Sequence, residues 1–78
     1  MYDVLWEKKA FKQLLSTQHG QRITIAYGVA GLKRWPECHG VKRKAGHKNQ
    51  YGLRLGRDHV LFNVDSAVRI ASIDCNQQ

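Results

Sequence analysis

The spacing of hydrophobic residues predicts a short strand followed by a helix in the first quarter of the chain. Residues 2–6 alternate as a strand does, and one side carries Tyr2, Val4 and Trp6. Residues 7–17 change to helical spacing, with an apolar stripe formed by Ala10, Phe11, Leu14 and Leu15. Lysines surround this stripe, which predicts a helix with a basic outer face. The dipeptide His19-Gly20 is suited to end it.

The next segment, residues 21–34, has features that favour a helix and features that oppose one. A helical stripe is formed by Ile23, Ala26, Tyr27 and Ala30. The β-branched run at 23–25 and two glycines weaken a helix, so the pattern favours helix only slightly. Pro36 then ends regular structure, because it restricts its own backbone and that of Trp35. The basic segment 41–50, VKRKAGHKNQ, fits a loop or the ragged start of a strand.

The last third of the chain predicts three strands at 51–56, 59–64 and 67–73. These segments are rich in β-branched and aromatic residues. Turn-like pairs, Arg57-Asp58 and Asp65-Ser66, separate them. The complete order is an N-terminal strand, two helices and a three-stranded antiparallel meander packed on the helices. The predicted fold class is therefore α+β.

The loop length of the first hairpin decides which residues share a face of the sheet. A loop of two residues (57–58) or four (56–59) gives one wholly apolar face, made of Leu53, Leu55, Val60 and Phe62. A three-residue loop would place His59 and Asn63 beside the leucines and split the core, so the even loop is predicted. The other face then carries Gly52, Arg54, His59 and Leu61. Continued alternation keeps Val64, Val68 and Ile70 in the core and adds Arg69 to the face of Arg54 and His59.

Charge gives this outer face a candidate role. The chain has 78 residues, enough for one small domain, and a formal net charge of +7. Such an excess points to a polyanionic partner, which is a nucleic acid, an acidic protein or an anionic surface. Eight Lys or Arg lie between Lys33 and Arg57, against Glu37 as the single acid there. The alternative is that the face is only solvated, as outer strand faces often are.

Other kinds of site find little support in the sequence. The N-terminus lacks the pattern of a signal peptide, no apolar run is long enough to span a membrane, and the two cysteines suit a reduced cytosolic setting. Cys38, His39 and His47 match no zinc spacing, and Cys38 with a histidine is a weak candidate for a nucleophilic pair. Trp35 is expected to pack against the sheet; stacking on a base is the alternative.

Three segments follow one another in a recognisable order: YDVLWEKKAFKQL, the basic VKRKAGHKNQ, and YGLRLGRDHVLFNVDSAVRIASI. Their order, spacing and charge resemble the RelE/ParE toxin superfamily of bacterial toxin–antitoxin pairs. The family marker is a segment of the type Tyr-Arg-Leu-Arg-Val-Gly-x-Tyr-Arg-Val-hydrophobic-Tyr. The resemblance covers nearly the whole chain as one toxin domain, residues 1–78, and favours helix for residues 21–34.

The resemblance implies a cytoplasmic toxin that a cognate, usually acidic, antitoxin holds inactive. RelE-like members cut mRNA on the ribosome without a metal or other cofactor, whereas ParE-like members inhibit DNA gyrase. In a ribonuclease of this kind, Arg54 and Arg69 would bind phosphate and His59 would transfer a proton. The residues that would steer and hold RNA are Lys42, Arg43, Lys44, Lys48 and Arg57.

The chain also departs from the family pattern. Gly52 stands where the family usually has Arg or Lys, and His59 replaces a phosphate-binding arginine. The basic segment with which the family usually ends is missing after SIDCNQQ. These differences favour weakened cleavage. The alternatives are a gyrase inhibitor, a degenerate toxin that still binds its antitoxin, or a plain basic nucleic-acid-binding module.

Overall fold

The computed structural model describes residues 1–44, 46 and 48–75, and it has two helices packed on one face of a five-stranded sheet. The strands are Val4–Trp6 (β1), Val41–Arg43 (β2), Gln50–Leu55 (β3), Asp58–Val64 (β4) and Val68–Cys75 (β5). The helices are Lys8–Leu15 (α1) and His19–Ala30 (α2), and a short 3-10 helix, Gly31–Arg34, follows α2. The predicted α+β class is confirmed.

The strand order in the sheet is β1-β5-β4-β3-β2. Strands β2 to β5 pair with one another in antiparallel fashion, and β1 lies parallel to β5, with Val4 opposite Val68. The predicted meander is present as β3–β5. It is extended by β1 on one side and, on the other, by β2, which forms within the basic segment whose structure the sequence left open.

The first hairpin has the predicted even loop at a different place. Its turn is Gly56-Arg57, one residue earlier than Arg57-Asp58, and Asp58 is the first residue of β4. Gly56 has φ +63° and Arg57 does not have a positive φ, which fits a type II′ turn. The faces are as predicted, because the loop length is even. The shifted register places Arg54 directly opposite His59.

The core lies between the sheet and the helices. Its sheet side includes the fully buried Val60, Phe62 and Ile70, and α2 contributes Ile25 and Val29. One carboxylate, that of Asp58, is also buried on this side, where its Oδ1 accepts a hydrogen bond of 2.7 Å from Gln21 Nε2. The hydrogen bond offsets the cost of removing this group from water.

The buried face of each helix differs from the predicted stripe. In α1, Ala10 and Leu14 are buried, but Phe11 and Leu15 are about half exposed, so Phe11 is not a core residue. In α2 the predicted stripe is wrong, because its largest members, Ile23 and Tyr27, are 56% and 84% exposed. The residues that are buried are Ile25 and Val29 in α2 and Leu32 in the 3-10 helix. Among the described residues, no helix is long and apolar enough to cross a membrane.

The junction between the helices depends on an arginine, and not on the dipeptide predicted to end α1. His19 and Gly20 begin α2, whereas α1 ends at Leu15. Arg22 Nη2 donates hydrogen bonds to the carbonyl oxygens of Leu15, at 3.2 Å, and Thr17, at 2.9 Å. A cation at the carbonyl end of a helix also interacts favourably with the helix dipole.

Replacing Arg22 with Met should therefore lower the free energy of unfolding by about 1–3 kcal/mol, because both carbonyl groups lose a charged donor while the apolar stem remains. Urea denaturation followed by circular dichroism measures the effect. Arg34→Met is the matched control, since the Arg34 side chain is exposed. Equal losses in the two variants would show that Arg22 does not stabilise the junction.

Candidate functional site

The face of the sheet turned away from the helices, here called the open face, carries its side chains in rows that cross the strands. The register pairs place three side chains in a first row, which consists of Arg54, His59 and Asp74. The middle row consists of Lys42, Gly52, Leu61 and Ser72. The third row consists of Gln50, Asn63 and Arg69.

The first row joins a permanent cation to an imidazole. Arg54 is exposed and His59 is partly exposed, and they are direct cross-strand partners. Side chains in such a pair have Cβ atoms about 4.5–5.5 Å apart. A guanidinium group binds phosphate oxygens through several N–H donors, and an imidazole is the side chain best suited to proton transfer near neutral pH. The row can therefore hold a phosphate beside an acid or base.

Asp74, on the other side of His59, was not found by sequence reasoning. Continued alternation from Arg69 would place Asp74 on the helix side. An irregularity in the pairing of β4 with β5 lies between Leu61 and Phe62, and it reverses the alternation. As a result Ile73 is buried and Asp74 is exposed beside His59. The carboxylate adds a negative charge to a surface that was predicted to carry only cations and neutral groups.

Arg69 shares the open face, as predicted, but the structure does not bring it to Arg54 and His59. The third row is four residues along β4 from the first, which is about 13 Å of extended strand. Arg69 Nε lies 3.3 Å from Asp65 Oδ2. The pKa of Asp65 is lowered first by a hydrogen bond from the backbone N–H of Ala67 and also by the charge of Arg69. Arg69 is thus separated from the first row and partly neutralised.

The residues predicted to hold RNA are all exposed, and most lie around one groove. The groove has a volume of about 490 Å³ and is formed by residues 40–44 together with Gly52, Arg54, His59 and Leu61.

The predicted RNA-holding residues differ in where they lie around the groove. Lys42 belongs to the middle row, whereas Arg43 pairs with Tyr51 and so falls on the opposite side of the edge strand. Lys48 follows in the connection to β3, and Arg57 lies in the hairpin turn. Lys42, Arg43 and Lys44 are the predicted RNA-holding residues that line the groove.

The remaining candidates lie away from this groove. Trp35 packs as predicted on the helix side of the sheet, with its ring centroid 4.6 Å from that of Tyr51 and 5.6 Å from that of Phe62. Burial raises the pKa of the Cys38 thiol, against a smaller opposite effect of Arg34, and disfavours the thiolate. The described residues form no group of three or more His, Cys, Asp or Glu that could hold a metal ion. His47 lies outside the described residues.

Asp74 should weaken binding of a polyanion to the first row. We expect Asp74→Asn to raise the affinity for a short single-stranded RNA about two- to fivefold at low salt, because an exposed charge has a modest effect. Fluorescence anisotropy measures this change. Asp3→Asn removes an equal charge near β1 and serves as the control. The expected role of Asp74 fails if both substitutions change the affinity equally.

Comparison with known proteins identifies the fold. An isolated RelE toxin from E. coli superposes with a TM-score of 0.86 at 13% identity, over 100% of this chain and 87% of that chain. The toxin–antitoxin complex RelBE2 from Mycobacterium tuberculosis gives 0.83 at 20% identity, over 99% and 93%. A RelE–RelB complex from Pyrococcus horikoshii OT3 gives 0.80 at 22% identity, over 99% and 97%. No protein-family model and no curated protein matches the sequence.

These likenesses extend over nearly the whole chain, and the chain has the fold of the RelE toxins. The resemblance that the sequence suggested is confirmed at the level of the fold. Because the identities lie between 13% and 22% in these three comparisons, the activity of the chain has to be argued from its own open face.

Proposed function

We propose that this protein is the toxin of a type II toxin–antitoxin pair and cuts mRNA on the ribosome as a metal-independent endoribonuclease. The observation that carries the proposal is the direct pairing of Arg54 with His59 on the open face of a RelE-type fold. The groove beside this pair is bordered by Lys42 and Lys44. Such a basic channel attracts RNA through its phosphates.

The first row suits strand cleavage by the RNA's own 2′-hydroxyl. The 2′-oxygen attacks the adjacent phosphorus, the bond from phosphorus to the 5′-oxygen breaks, and the products are a 2′,3′-cyclic phosphate and a 5′-hydroxyl. Arg54 would stabilise the negative charge that grows on the phosphate oxygens. His59 would accept the 2′-hydroxyl proton or give one to the leaving 5′-oxygen. One imidazole can serve only one of these transfers at a time, so water or the ribosome would serve the other.

The helical layer supports an acidic protein partner. From Lys8 to Pro36 the sequence has six Lys or Arg and no Asp or Glu. On the same layer Phe11, Leu15, Ile23 and Tyr27 are exposed. Apolar side chains among cations suit a partner that presents both apolar and acidic groups. An acidic antitoxin has this chemistry, and of the solved structures above one is a toxin–antitoxin complex and another a RelE–RelB complex.

The test is to add the purified protein to ribosomes programmed with a defined mRNA and to map the new RNA ends. Cleavage within the codon at the decoding site, leaving a 2′,3′-cyclic phosphate and a 5′-hydroxyl, is the expected result. Ends that carry a 3′-hydroxyl and a 5′-phosphate, the products of attack by metal-activated water, would contradict the metal-independent mechanism. Intact mRNA together with inhibition of DNA gyrase would replace the proposal with the gyrase alternative.

A second candidate, a degenerate toxin that still binds its antitoxin, is favoured by the composition of the rows. Gly52 supplies no cation in the middle row, and Asp74 opposes the charge of the first row. Intact mRNA, unaffected gyrase and tight binding to an acidic antitoxin would support this alternative. Intact mRNA with sequence-independent binding of nucleic acid and no antitoxin binding would instead indicate a plain binding module.

A further inference from the structure

The middle row of the open face has a gap where its neighbours carry side chains. Gly52 stands between Lys42 on β2 and Leu61 on β4. A Cβ atom built on Gly52 would meet only Leu61 Cδ2, at 3.8 Å, among the described residues beyond its chain neighbours. The gap therefore lies open above the backbone, and its wall on one side is an aliphatic side chain.

The side chains on the two sides of the gap differ, because the middle row has the charged Lys42 on one side of Gly52 and the apolar Leu61 on the other. Leu61 is partly exposed on the open face and does not belong to the buried core. Ser72, its cross-strand partner, adds a hydroxyl group that can donate or accept a hydrogen bond. The first row lies two residues along the strand, about 7 Å away. An apolar surface, here called the seat, thus lies next to the Arg54–His59 pair, at a distance comparable to the size of one nucleotide.

We infer that the gap above Gly52 seats an unpaired nucleobase of the RNA whose phosphate Arg54 binds. This inference rests on the proposed function and adds a base-binding site to it. The flat base would lie against Leu61 and the partly exposed peptide backbone of Gly52, and its polar edge would reach Ser72. Contact between the face of a base and apolar or planar groups tolerates every base, so the seat strengthens binding without selecting a sequence.

The same gap accounts for an apolar residue in the centre of a basic surface. A cation at position 52 would fill the space and bind another phosphate. With glycine there, Leu61 is left partly exposed across the gap from Lys42, and a base is the part of RNA that has an apolar face.

The experiment compares two uncleavable 2′-O-methyl tetranucleotides that share one sugar–phosphate backbone, one with four uracil bases and one with none. Anisotropy should show that the protein binds the base-bearing probe about tenfold more tightly. In Gly52→Leu the added side chain fills the seat, and this preference should fall to about twofold or less. Gln50→Leu places the same side chain on the same strand and face, one row away, and should keep the preference.

Equal affinity of the unaltered protein for the two probes would overturn the inference, as would an undiminished preference in Gly52→Leu. Thermal unfolding of both variants shows whether each is folded. The binding assay is separate from the ribosome assay. Cleavage without a base preference would refute the seat alone, and a base preference without cleavage would refute the proposed activity alone.

Discussion

His59→Ala is expected to slow mRNA cleavage on the ribosome by about 100-fold or more, the usual contribution of a positioned acid or base. Binding of the uncleavable base-bearing tetranucleotide should change much less, because Arg54 and the basic residues of the groove remain. The loss should therefore appear in the rate constant of single-turnover cleavage at saturating ribosome concentration. This division between rate and affinity distinguishes proton transfer from simple attraction of RNA.

The matched control is His19→Ala. His19 is an exposed histidine at the start of α2, outside the open face, so its removal should leave the cleavage rate unchanged. A second comparison is His59→Gln, which keeps a hydrogen-bonding side chain that cannot accept or release a proton near neutral pH. If His59→Ala or His59→Gln cleaved as fast as the parent, His59 would have no part in the chemistry.

Phe62→Ala is expected to destabilise the protein by about 3–5 kcal/mol. Phe62 is fully buried, and its ring stacks on Tyr51 at 5.7 Å and meets Trp35 edge-on at 5.6 Å. Small domains have a total stability of about 5–15 kcal/mol, so much of the variant should be unfolded at modest urea concentrations. Urea denaturation followed by tryptophan fluorescence measures the loss, because Trp35 is part of the same cluster.

The second phenylalanine of the chain provides the control. Phe11 is 49% exposed on α1, so Phe11→Ala should cost about 1 kcal/mol or less. The comparison also tests whether Phe11, although part of the apolar stripe predicted for α1, lies outside the core. A loss for Phe11→Ala as large as that for Phe62→Ala would mean that Phe11 is buried in solution.

The hairpin shows what alternation predicts and where it stops. The apolar positions of β3 and β4 required an even loop, and that requirement was sufficient to place Arg54 and His59 on one face. It could not decide between two-residue loops at 57–58 and at 56–57, which pair different residues across the hairpin. The choice was encoded by Gly56, whose positive φ suits the first position of a type II′ turn. Recognising the pair Gly56-Arg57 as that turn would have predicted the direct pairing.

The rest of the site depended on features that the pattern does not contain. The irregularity between Leu61 and Phe62 changes which face of the sheet the residues near the end of β5 occupy. No residue type in that part of the sequence indicates such an irregularity. In α2, Gly28 is one of the two glycines that weaken the helical pattern. An added Cβ atom there would come within 2.6 Å of Leu55 Cδ2, so the packed side of α2 contains a glycine. The larger side chains of Ile23 and Tyr27 had predicted that the opposite side of α2 is the buried one.

The edge strand β2 has a consequence for how the protein behaves at high concentration. An exposed strand edge offers unpaired N–H and C=O groups on which another chain can pair and start an aggregate. β2 is only three residues long, and two of them, Lys42 and Arg43, are cations, with Lys44 directly after them. Two copies approaching edge to edge would bring these charges together. The residues that line the groove thereby also oppose aggregation through this edge of the sheet.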